Sequence, residues 1–98
     1  MLMRALALLL LMIPLHGLAD ELATERYAPA QISVAQDLLQ RARAAAARGD
    51  ESRAGKLAWQ ASLDARLAWG MTDSAQLRAD AARVGGEASA LIADLARQ

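Results

Sequence analysis

The chain offers few side chains able to do chemistry. Its one histidine is His16 and it has no cysteine, so an imidazole base, a thiolate nucleophile and the Cys/His sets that hold zinc have almost nothing to be built from. His16 moreover sits in an apolar N-terminal stretch that reads as a leader removed from the mature protein. Carboxylates remain: Asp73, Asp80 and Glu87 follow one another at seven-residue intervals, two helical turns apart, and share a helix face. A hard cation needs about six to eight oxygen ligands, and no second cluster stands ready to complete such a set, so this row reads as a solvated face. The sequence assigns no catalytic, cofactor-binding or metal-ligating residue, and the expectation is a protein that is not an enzyme and has no cofactor.

The basic residues are as dispersed as the acidic ones. Eleven Lys and Arg balance eleven Asp and Glu for a formal net charge of zero, which excludes the dense cationic footprint of a nucleic-acid binder. Arg41, Arg48, Arg53 and Arg66 are scattered. Arg48 and Arg53 flank a corner where an anionic wall polymer or a lipid head group would be met, but they form no patch. More telling are the large apolar side chains in a chain that is 55% hydrophobic and only 3% aromatic. Trp59 and Trp69, ten residues apart, are read as two points along one face of a helix, joined by Leu63. The first expectation is that they fill core volume which alanine leaves empty. The functional alternative is that at least one anchors a partner, Trp69 beside Gly70 and Met71 being the better candidate, since aromatic anchors dominate interfaces.

These residues need elements to carry them. Arg4 precedes an unbroken apolar run from Ala5 to Ile13, followed by Pro14, Gly17 and Ala19 before Asp20-Glu21. A basic start, a short apolar core and small residues before a polar stretch are the pattern of a secretory signal, with cleavage expected between Ala19 and Asp20. The run is well short of the ~20 residues of a spanning helix. Residues 1–19 are therefore expected as signal peptide, 20–28 as a flexible lead-in and 29–98 as one domain, periplasmic or secreted. The absence of cysteine leaves neither a lipid-accepting thiol nor a disulfide, so stability in an oxidising compartment must come from packing or association.

Past Pro29, placed at a first helical position, Ile32, Ala35, Leu38, Leu39, Ala42 and Ala45 recur at helical spacing. Asp37 and Arg41 stand four apart in the favourable order. Gly49-Asp50 ends this helix and caps the next, because glycine accepts left-handed dihedrals and aspartate accepts free amides. The second helix carries two apolar stripes, one of Ala54, Leu57, Ala58, Ala61, Ala65 and Ala68, and one of Trp59, Leu63 and Leu67. Two greasy faces want two neighbours, so this helix is expected in the middle of the fold. After Gly70-Met71-Thr72-Asp73, with Asp73 and Gln76 as a capping box and Thr72 as an alternative cap, a third helix repeats Leu77, Ala81, Val84, Ala88, Leu91 and Leu95, with a bend or fraying expected at Gly85-Gly86. The expected fold is all-α: a small antiparallel three-helix bundle, or a helical hairpin plus a third helix, with helices over about 30–48, 51–69 and 74–96.

Three stretches together, Tyr27-Ala28-Pro29-Ala30-Gln31-Ile32-Ser33-Val34-Ala35, the corner from Ala44 to Asp50, and Lys56 to Ala68, resemble domain-of-unknown-function family 4398 over residues 27–69. That resemblance implies a small alanine-rich helical protein of the bacterial envelope, and it carries no catalytic residues. The Gly49-Asp50 corner with Ala54 and Ala61 also resembles half of a tetratricopeptide repeat, although no second copy follows at that period. The functional expectation is a periplasmic or envelope module that binds a protein partner or itself as a homodimer, through Trp59, Leu63, Trp69, Met71, Leu91 and Leu95. The alternative is a structural or stress-related envelope component that touches peptidoglycan or the membrane surface.

Overall fold

The computed structural model describes the side chains of residues 25–98 and, of residues 2–24, only that they continue a helix; the expected cleavage after Ala19 lies outside what is described. Three helices follow one another, α1 (Leu2–Ala47), α2 (Glu51–Gly70) and α3 (Ala75–Ala96), packed against each other as a small all-α bundle. No strand occurs among the described residues, and none of their helices is long and apolar enough to cross a membrane.

The first corner forms as its residues dictate. Gly49 takes φ +80°, a left-handed conformation that costs glycine little, and the Asp50 amide donates back to the Ala45 carbonyl at 2.9 Å. The Asp50 carboxylate then accepts from the Arg53 amide at 3.3 Å and caps α2. So short a connection lays α1 and α2 side by side, antiparallel.

At the second corner the cap falls one residue later than the sequence suggested. Ser74, in an extended conformation, accepts from the Leu77 amide and caps α3, while Asp73 turns to solvent toward Arg78. Thr72 is buried. Its hydroxyl accepts from the Ser74 amide at 3.0 Å and donates to Glu25 Oε1 at 3.2 Å, and Glu25 also accepts from the Asp73 amide. This contact binds the α2–α3 corner to α1. Glu25 to Ala28, assigned to a lead-in by their polarity, belong to α1, and Ala28 is fully buried. Pro29 accordingly lies inside the helix rather than at its start.

The core is built from alanine. Of the buried apolar residues only Ile32, Leu39 and Val84 are larger, and Val84 is the largest side chain to be completely enclosed. One cluster joins Ala35 and Leu39 of α1, Ala61 and Ala65 of α2, and Val84 and Ala88 of α3; a second joins Ile32, Ala68 and Ala81. The antiparallel register thus brings Leu39 to the level of Ala61, Ala35 to that of Ala65 and Ile32 to that of Ala68. Gly85 packs close enough to α2 that a Cβ built on it would stand 3.4 Å from the Ala65 Cβ. α3 runs unbroken through Gly85 and Gly86.

α2 is central, as expected, but not for the expected reason. Its buried residues Ala54, Ala58, Ala61, Ser62, Ala65 and Ala68 fill one arc of about 120° at 3.6 residues per turn. Both neighbours pack on that arc, because methyl side chains let two helix axes approach the same strip. The second stripe is therefore left without a neighbour inside the fold.

Candidate interaction surface

The residues available for chemistry are spread out and paired in ordinary ways. Glu87 meets Arg43 at 3.3 Å and Arg83 at 3.6 Å; Asp37 meets Arg41 at 3.0 Å; Asp73 meets Arg78 at 3.5 Å; and Asp94 pairs with Arg97. All are solvent-facing, which limits each to a fraction of a kcal/mol, about 0–1. Asp73, Asp80 and Glu87 do not converge: Asp73 precedes α3 and pairs with Arg78, whereas Glu87 faces α1. Among the described residues no group of three or more metal-ligating side chains comes together, and every buried side-chain polar atom has a hydrogen-bond partner.

The surface divides by chemistry. Between α1 and α3 lies a shallow polar cleft of about 210 Å³ that includes Gln36, Gln40, Arg43, Arg83 and Glu87. Between α2 and α3 an open groove of about 220 Å³ runs past Ala65, Ala82, Gly85, Gly86 and Ser89, with Trp69 as one wall. On the outer side of α2 stand Trp59, Leu63 and Leu67, with 55%, 45% and 54% of their surface in solvent. Spaced i, i+4, i+8, they occupy an arc of about 80° on the helix, opposite the alanine strip. Leu57 is half-buried at its edge.

Trp59 and Trp69 do not share a face. Ten residues amount to about 1000°, which leaves the two side chains about 80° apart, and in the direction away from Leu63 and Leu67. Both are exposed rather than core-filling, since helices drawn together by alanine leave no space between them for an indole. Their situations differ. The Trp69 ring is covered on one face by the Arg78 guanidinium, 4.0 Å from the ring centroid. Arg78 is itself held by donation from Nε to the Thr72 carbonyl at 2.8 Å. Trp59 has no such cover and is the freer anchor.

The other singled-out residues are placed apart from this stripe. Met71 caps the C-terminus of α2 and is half-buried. Leu91 packs against the larger core cluster and Leu95 is half-buried on the last turns of α3. Conversely, Tyr27 and Val34, seven apart on α1 and 60% and 48% exposed, were not among the sequence candidates. Their signal was there: both lie off the alanine period of α1. Val34 points about 150° away from the mean direction of Gln36, Gln40 and Arg43, which face the α3 cleft. It therefore sits on the α2 flank of α1, and the register carries it to the level of Leu67.

No family model, curated protein or solved structure matches this chain.

Proposed function

We propose that this protein is a non-enzymatic helical module of the bacterial cell envelope, exported by its N-terminal signal, that works by presenting the outer face of α2 to another polypeptide. The observation that supports this is the sorting of side chains. A small domain with little apolar area to spare encloses alanine and leaves Trp59, Leu63 and Leu67 in water on one continuous stripe. The largest contiguous apolar patch on a soluble monomer, usually a few hundred Å², is often its functional one. The pattern of Arg4, the apolar run from Ala5 to Ile13 and the small residues Gly17 and Ala19 supports the compartment, and the absence of cysteine agrees with a packed helical module that has no lipid-accepting thiol.

A photo-crosslinking side chain at position 63, compared with one at position 40 in the polar α1–α3 cleft, tests the reading in intact cells. Adducts with an envelope polypeptide are expected from position 63 and not from position 40. Equal labelling from both positions, or none from either, would sink the interaction face. Recovery of an uncleaved chain in the cytoplasmic fraction would sink the envelope assignment.

A further inference from the structure

We infer that the occupant of this face is a second copy of the same chain, docked through α2 against α2 in antiparallel orientation with Leu63 on the twofold axis. The inference rests on the interaction-face reading above and names its partner.

The seam on α2 is self-complementary about Leu63. Lys56, Trp59, Leu63, Leu67 and Gly70 are successive positions on one side of the helix, and each has a mirror position across Leu63. In an antiparallel pair Trp59 lies against Leu67 of the other copy, one large side chain beside a smaller one. Leu63 meets its own copy on the axis. Lys56, exposed, falls opposite Gly70 of the other copy, where the missing side chain leaves room for its stem.

Charge points the same way. α2 has no basic residue of its own in its last turn, and the one cation at that end is Arg78, which lies over Trp69, donates to the Thr72 carbonyl and pairs with Asp73; a second cation there adds to a partly compensated helix end. Just beyond stands Asp73, paired with Arg78 at 3.5 Å through one carboxylate oxygen but with its side chain 100% exposed, so that its second oxygen is open to a cation of the other copy. The Lys56 ammonium of the opposing copy arrives at this end in the antiparallel arrangement only; a parallel pair would set Lys56 against Lys56. The chain's formal net charge is zero, and about one unit negative without Arg4 once the leader is removed, so long-range repulsion between copies is slight.

Area sets the strength. The solvent-exposed surface of Trp59, Leu63 and Leu67, with Val34 flanking the seam, comes to roughly 400 Å² per copy. A pair covers roughly twice that, and the rim of Lys56 and Gln60 brings the interface to about the 1,000 Å² at which specific association begins. A reversible dimer with micromolar dissociation is therefore expected, not a permanent one.

Because the chain contains no cysteine, single substitutions report the geometry cleanly. In the full-length protein, Leu63→Cys is expected to form a symmetric disulfide under mild oxidation. Mixing Lys56→Cys with Gly70→Cys is expected to give the heterodimer in preference to either homodimer. Sedimentation of the cysteine-free protein should show a concentration-dependent shift from one to two chain masses, with association weakened at least tenfold by Leu63→Glu and unchanged by Gln40→Glu. Circular dichroism verifies that each variant is helical, and all the substituted side chains are solvent-exposed. Lys56→Asp should weaken the dimer, and Lys56→Asp combined with Asp73→Lys should restore it. A protein that stays monomeric at hundreds of micromolar (well above the expected dissociation range), or a Leu63→Cys variant no faster to cross-link than a Gln40→Cys variant, overturns the self-docking. If position 63 nevertheless cross-links a different envelope polypeptide, the interaction-face reading survives without it; if it cross-links nothing, both fail.

Discussion

Gly86 provides a clean test of the packing argument. It lies within α3 with nothing within 4 Å of where a Cβ would stand, so Gly86→Ala adds no contact and removes none. What changes is the backbone: alanine in a helix interior is favoured over glycine by about 0.8–1.0 kcal/mol. The whole gain should appear as stability, raising Tm by roughly 4–8 °C for a domain of this size and moving the urea midpoint upward by roughly 0.3–1 M. Gly85 is the matched control. Its Cβ would come to 3.4 Å from the Ala65 Cβ, near the limit of ordinary contact, so Gly85→Ala should gain less than Gly86→Ala. Gly85→Leu should lose about 1–3 kcal/mol by forcing α2 and α3 apart. Urea titrations followed by far-ultraviolet circular dichroism, at a concentration low enough to hold the protein monomeric, measure all three. If Gly86→Ala is neutral or destabilising, residue 86 is not in an ordinary helix interior; if Gly85→Ala gains as much as Gly86→Ala and Gly85→Leu is tolerated, the close α2–α3 approach at Ala65 is misjudged.

Other consequences follow from the same contacts. Leu39 is the largest side chain among the nearly enclosed ones of the main cluster, so Leu39→Ala should cost about 2–5 kcal/mol, enough to leave much of the population unfolded at room temperature as read by loss of helical signal. Ser74→Ala removes the α3 cap and should cost about 1 kcal/mol, whereas Asp73→Ala should cost less, which the urea midpoints of the two variants will rank. Arg78→Ala strips the cation from the Trp69 ring and should change the fluorescence of Trp69 while leaving that of Trp59 as it was, a difference visible in single-tryptophan backgrounds. Arg43→Ala breaks an exposed ion pair with Glu87 and should shift stability by less than about 1 kcal/mol, with the difference shrinking further in high salt.

Much of the fold is written locally. The spans of α2 and α3, the Gly49-Asp50 corner with its aspartate cap and the Asp37–Arg41 pair follow from propensity, capping chemistry and the 3.6-residue period, each of which acts within a few residues; the start of α1, expected near residue 30, does not. What sequence reasoning could not weigh was competition. Asp73, Thr72 and Ser74 are all competent caps; Ser74 takes the role because Thr72 is drawn inward by Glu25, a residue 47 positions away. Glu25 to Ala28 are likewise helical although their local pattern is weak, and this contact ties that part of α1 to the α2–α3 corner.

The candidate site illustrates the division most clearly. Its members Trp59, Leu63 and Leu67 are visible as a stripe in the sequence, and a stripe of such residues says that something must cover it. Whether that cover comes from within the chain depends on how much of α2 the other two helices need. Alanine is short enough that both fit on one arc, and this three-body outcome is not encoded in the period of any single helix. The chain by itself determined which residues share a face, because helical geometry is local; only the tertiary structure decided which face is left in water, because that is settled by how closely helices far apart in sequence approach one another.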